Sequence, residues 1–166
     1  IEDVVAALRD TLKVVEGAFT AAMVLEVDGE PTLVAFRDPN GIRPGVWGRK
    51  GDAWMVASES VAIDTLGFEL MGDLPRGAAV FLRPGQEPVI KELLVREPAP
   101  CVFGAIYFSR PDSVRAGLTV YEQRLAMGRS LAQDFVAKGH EVDVVIAVPD
   151  TSRPAAIAFA EEIGLP

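Results

Sequence analysis

The chain has 166 residues, 49% hydrophobic and 24% charged, which suffices for a buried core and fits one domain or one and a fraction. Its net charge of −8 argues against nucleic acid or an anionic membrane surface as a general partner. A single cysteine excludes an internal disulfide and fits a reducing, cytoplasmic setting, and no apolar run reaches the roughly 18 residues of a membrane span.

Val4, Val5, Leu8, Leu12 and Val15 recur at helical spacing, with Gly17 as the stop. This acidic opening helix is no secretory signal. Strands are expected over 20–27 and 31–36, joined by the hairpin signal Asp28-Gly29-Glu30. The stretch AFRDPNGIRP then turns the chain: Asp38 can bond its own backbone, Pro39 presets φ, and Asn40-Gly41 tolerates positive φ. Arg37 and Arg43 flank that turn. Short strands follow at 46–47 and 54–57, then a helix over 59–66 capped by Ser58 or Ser60 and ended by Gly67. Strands at 68–71 and 78–82 complete an antiparallel region packed by helices.

Residues 84–100 hold Pro84, Pro88, Pro98 and Pro100 and mark the boundary, with strand-like pieces at 89–90 and 93–95. Beyond it, 101–108 is apolar and 109–117 is a polar loop. A long helix is expected over 120–138, burying Tyr121, Leu125, Gly128, Leu131, Ala132 and Phe135. The continuous apolar run 143–148 reads as a strand buried on both faces, and 154–163 as another helix. Helix, buried strand, loop and helix make the start of a parallel α/β domain. The chain opens inside a helical pattern and stops directly after a helix, so an excerpt of a longer protein is expected.

The loop Pro149-Asp150-Thr151-Ser152-Arg153 follows the carboxyl end of the expected buried strand, where open α/β sheets collect ligands. A helix start there offers free amides to an anion. Thr151 and Ser152 add hydroxyls, Arg153 a charge, and Asp150 suits a hydrated magnesium or a ribose hydroxyl. The bland alternative is that Thr151 or Ser152 merely caps the helix. No G-x-x-x-x-G-K loop is present, so a direct triphosphate cradle is not expected. Cys101 lacks the partners that a metal or iron–sulfur site of about four ligands requires. His140 reads as a charge partner for a helix end, and Arg110, Asp112 and Ser113 as a turn fixed by an Arg–Asp contact.

Taken together, AFRDPNGIRP, VASESVAIDTLGFEL, CVFGAIYFSRPDSV, VYEQRLAMG and DVVIAVPDTSRPAA resemble the glutamine phosphoribosylpyrophosphate amidotransferase family, in that family's order and over nearly the whole chain. The first two also resemble the glutaminase domain of asparagine synthetase; the YFSRPDS and PDTS loops decide between them. The resemblance implies an α+β part followed by α/β. Residues 1–97 would be the C-terminal part of an N-terminal-nucleophile glutaminase domain, a four-layer fold with two antiparallel sheets between helices. Residues 98–166 would be the linker and first strand–helix unit of a type I phosphoribosyltransferase. The family passes glutamine-derived ammonia to phosphoribosyl pyrophosphate, giving 5-phosphoribosylamine, the entry step of purine synthesis.

Few of the family's functional residues fall in this chain. Its nucleophile is an N-terminal cysteine where this sequence has Ile1, so no catalytic residue is assigned and the 166-residue chain alone is expected to be inactive. Thr151 matches the hydroxyl residue placed at magnesium near the pyrophosphate, with Asp150 and Ser152 as its substrate-binding neighbours. Cys101 matches a cysteine that ligates a 4Fe-4S cluster in cluster-bearing members. Tyr107 matches a position facing the inter-site channel. Gly104 departs from the glutamate usual in the stretch before IYFSRPDS. The implied partners are glutamine and phosphoribosyl pyrophosphate, and homo-oligomers are expected. The rival readings are a non-catalytic phosphoribosyl-binding regulatory module and another class II glutamine amidotransferase.

Overall fold

The computed structural model describes residues 1–166 as two compact units, Ile1–Cys101 and Val102–Pro166. The first unit begins with α1 (Glu2–Val14), then β1 (Thr20–Val27) and β2 (Glu30–Arg37). It continues with β3 (Val46–Lys50), β4 (Ala53–Ala57), α2 (Ser60–Thr65), β5 (Glu69–Asp73), β6 (Ala78–Leu82) and β7 (Val89–Glu92). One antiparallel sheet has the order β1-β2-β6-β7 and a second the order β4-β3-β5.

Side-chain alternation turns these elements into layers. Val5, Leu8 and Leu12 of α1 pack on Val34, Phe36, Ala79 and Phe81, one face of the four-stranded sheet. The intervening residues, Leu33, Ala35, Val80 and Leu82, point the other way and meet Trp47, Trp54 and Val56 of the second sheet. Because successive strand residues alternate faces, Gly48 lies opposite Trp47, against Ile63 of α2. A Cβ at Gly48 would sit 2.6 Å from the Ile63 side chain, so the missing side chain is what lets α2 close down. The result is helix, sheet, sheet, helix: an α+β unit with antiparallel sheets.

Local chemistry sets the connections. Asp28 and Gly29 both have positive φ, the two-residue turn whose twist matches paired strands, and β1 and β2 pair in continuous register from Thr20↔Arg37 to Val27↔Glu30. Asp38 is fully buried at the next turn and spends its carboxylate on backbone donors. One oxygen accepts from Asn40 N at 3.1 Å and Ile42 N at 3.0 Å, the other from Arg43 N at 3.1 Å. Arg37 donates to the carbonyls of Arg43, Leu74 and Gly41. Both residues of this turn are therefore consumed in holding main chain. The helix expected over 59–66 is shorter, and neither serine caps it: its N-cap, Glu59, has no side-chain cap.

In the second unit a π-helical turn, Gly104–Phe108, leads to a small hairpin of β8 (Val114–Arg115) and β9 (Leu118–Thr119). Then come α3 (Val120–Ala137), a 3-10 turn (Asp150–Ser152) and α4 (Arg153–Ile163). Thr119 and Glu122 form a reciprocal capping box at the start of α3. Helices α3 and α4 pack closely at Gly128, where a Cβ would lie 2.2 Å from the Ala155 carbonyl oxygen. Phe135 meets Phe159 edge-on, with ring centroids 5.3 Å apart.

Two expectations are corrected here. Residues 143–148 form no strand and join no sheet; Val144, Ile146 and Val148 are 53%, 75% and 80% exposed. A strand buried on both faces needs a paired neighbour and helices above and below, and α3 and α4 instead pack on each other. The parallel strand–helix unit is therefore absent from residues 102–166. Second, the buried stripe of α3 is Val120, Arg124, Gly128 and Ala132, while Tyr121 and Leu131 are exposed.

Candidate functional site: a cleft between two loops

The π-helical turn is fixed by main-chain and arginine contacts. Ser109 N donates to Gly104 O at 2.8 Å, closing the turn. Arg124, 3% exposed on α3, donates from Nε to Ala105 O and from Nη2 to Ser109 O, both at 2.8 Å. A guanidinium suits this task because its rigid fork reaches two acceptors at once. The loop that follows is tied to the first turn of α3 through Val120 N to Ser113 O and Tyr121 N to Pro111 O. Arg110 grips both carboxylate oxygens of Asp112, at 3.0 and 2.9 Å. That side-chain hydrogen bond holds the Asp112 carboxyl below its ordinary range. The Arg–Asp turn expected from the sequence is present.

The second loop starts at the cis Val148–Pro149 peptide bond. Ser152 donates from both N and Oγ to Pro149 O, at 3.0 and 2.6 Å. Neither Thr151 nor Ser152 acts as a side-chain cap of α4, so the capping role weighed from the sequence does not occur. Pro154 occupies the first turn of α4, where its missing N–H costs nothing. Asp150 and Arg153 form an exposed ion pair at 2.7 Å.

These two loops line one cleft of about 500 Å³. Tyr107, Phe108 and Arg110 come from the first loop, Tyr121 from α3, and Asp150 and Thr151 from the second. Ser152 turns away: it borders a separate groove with Ile146, Val148 and Phe159. The cleft offers aromatic faces, guanidinium groups, the hydroxyls of Ser109, Thr151 and two tyrosines, and the Asp150 carboxylate, a lining suited to an anion carrying a ring. Asp150 and Thr151 are hard oxygen donors, and magnesium is commonly held by one or two carboxylates with the substrate's phosphates completing the shell.

Cys101 is not among the cleft's lining residues; its backbone N–H donates to Ile42 O. It is the chain's single sulfur ligand, and no group of three or more His, Cys, Asp or Glu side chains gathers anywhere in the structure. These residues do not by themselves fit an iron–sulfur cluster. His140 stacks on Phe135, with centroids 5.3 Å apart. The sequence reading missed Arg124, whose place on the Val120, Gly128 and Ala132 stripe was the available signal, and it assigned Tyr121 to the core instead of the cleft.

No protein-family model matches the chain. Its fold matches that of glutamine phosphoribosylpyrophosphate amidotransferase from B. subtilis, solved with ADP and GMP, at a TM-score of 0.80 and 33% identity. The match covers 97% of this chain and 34% of that one. In sequence it is 40% identical to amidophosphoribosyltransferase of Pseudomonas aeruginosa, 37% to that of Archaeoglobus fulgidus and 35% to that of Escherichia coli, over 99% of this chain in each case. The chain spans about a third of the length of these relatives, 34% of each. Its fold is thus that of a segment of a phosphoribosylpyrophosphate amidotransferase structure. By sequence it is homologous, end to end, to a segment of amidophosphoribosyltransferase.

Proposed function

We propose that the chain is part of an enzyme that transfers glutamine-derived ammonia to phosphoribosyl pyrophosphate, giving 5-phosphoribosylamine. On this reading residues 1–97 end an N-terminal-nucleophile glutaminase domain, and residues 98–166 open a type I phosphoribosyltransferase domain. The observation that carries the reading is the cleft, because it joins the two loops that separate this family from other class II amidotransferases. The four-layer arrangement of the first unit supports the glutaminase half. The parent enzyme works in the cytoplasm, as a homo-oligomer.

Within the cleft, Thr151 and Asp150 hold the magnesium–pyrophosphate end of the substrate. Magnesium, when bound, neutralises charge on the departing pyrophosphate. Arg153 and Arg110 each carry a carboxylate partner, Asp150 and Asp112, with which a phosphate in the cleft would compete. Cys101 contributes one ligand to a 4Fe-4S cluster only if the parent enzyme supplies the others, and no step here depends on it. The chain by itself hydrolyses no glutamine.

A second reading assigns the same cleft to a nucleotide, with the base on Tyr107, Phe108 or Tyr121. It is favoured by those rings and by the ADP and GMP in the B. subtilis relative. Thr151→Val in the intact parent enzyme separates the two. The first reading expects KM for phosphoribosyl pyrophosphate to rise about tenfold, the loss of one charge-assisted contact, with glutaminase turnover unchanged. Unchanged transferase kinetics would remove Thr151 from the substrate site.

A further inference from the structure

Gly104 is buried at the start of the π-helical turn, and its φ is not in the left-handed region, so the backbone does not require glycine there. Space requires it. A Cβ at 104 would lie 2.2 Å from Nη1 of Arg115, 3.0 Å from Cζ and 3.2 Å from Nη2. The guanidinium of β8 thus stands in the volume that a side chain at 104 would fill. Nη1 is also the one buried side-chain polar atom in the structure without a hydrogen-bond partner. A buried donor left unmatched is costly, and more so when it belongs to a charged group.

Polar groups of the same loop and of the start of α3 are engaged with other partners. The Asp112 carboxylate accepts from Arg110, the Glu122 carboxylate from Thr119, and Gln123 donates to the Arg115 carbonyl. We infer that positions 104 and 115 form half of an ion-pair site: Arg115 supplies the cation, and the missing member is a carboxylate delivered from position 104. The obstacle to that carboxylate is the far end of a flexible side chain, not main chain, so Arg115 can withdraw and receive it. Residue 104 then sets whether the turn bearing Tyr107 and Phe108 carries a closed ion pair or an unmatched guanidinium. This inference does not depend on which ligand the cleft takes.

Thermal melting of the full chain in a double-mutant cycle tests it. Gly104→Glu is expected to raise the melting temperature by about 5 °C, the shift a net gain near 1 kcal/mol gives in a unit of this size. Gly104→Gln gains less. In an Arg115→Met background Gly104→Glu should lower the melting temperature, because the buried carboxylate has lost its partner. Arg115→Met alone should leave the melting temperature unchanged or raise it, since an apolar chain of similar length removes the orphaned donor. Equal responses to Gly104→Glu in both backgrounds would overturn the proposal. If Gly104→Glu does not fold, Arg115→Met decides: a loss of 5 °C or more would overturn it as well.

Discussion

The two units solve the burial problem in opposite ways. In residues 1–101 every core strand has a covered face, and Val34, Ala35, Ala79, Val80 and Leu82 are at most 1% exposed. In residues 102–166 two helices pack on each other around Gly128 and Ala132, while Val144, Ile146 and Val148 remain open to solvent. Val and Ile fill the sheet core of the first unit, whereas those of 143–148 lie on the surface of the second. Apolar character marks a segment for burial, but paired edges and a covering layer decide whether burial occurs.

The largest break in this contrast should come from the first unit's core. Phe81→Ala, at 2% exposure, should destabilise by about 4 kcal/mol in denaturant unfolding, whereas Ile146→Ser, at 75%, should stay within about 0.5 kcal/mol. A comparable cost at both positions would mean that 143–148 is covered in solution. Next in size, Asp38→Ala leaves three backbone donors of the turn without their acceptor and should cost about 3 kcal/mol. In the second unit, Gly128→Val drives a side chain into the Ala155 carbonyl and should cost about 2 kcal/mol, read as a loss of helical signal on mild heating.

The smallest of these losses is at the start of α3, where Thr119→Ala should cost about 1 kcal/mol, still above the near-neutral Ile146→Ser. Its partner Glu122 has a carboxyl pKa lowered by the Thr119 hydroxyl and then the Thr119 backbone N–H. A lowered folded pKa makes its contribution complete above the ordinary value of 4.5 and lost as pH falls through the lowered one. Glu122→Gln should therefore melt below the parent chain at pH 7 and converge with it on acidification below that range.

Much of the first unit was legible because its signals are local. Alternation placed β1 and β6 at their observed bounds, and Asp28-Gly29 announced its own turn. The second unit misled for a non-local reason: the run 143–148 has the composition of a buried strand, but composition cannot supply the neighbours that would bury it. The cleft was half legible. Asp150 and Thr151 could be singled out from a loop before a helix, yet Ser152 bonds back to Pro149 and leaves the cleft. Arg124 was hidden because a charged residue on a buried stripe reads as an interruption, when here its fork ties down a turn.

Hydrogen exchange on the intact parent protein, with and without magnesium and phosphoribosyl pyrophosphate, tests the assignment of the cleft most directly. The account predicts slowed exchange at 107–111 and 150–153 together, with residues 20–82 unchanged. Ligand-dependent protection that leaves both loops at their free rates would contradict it.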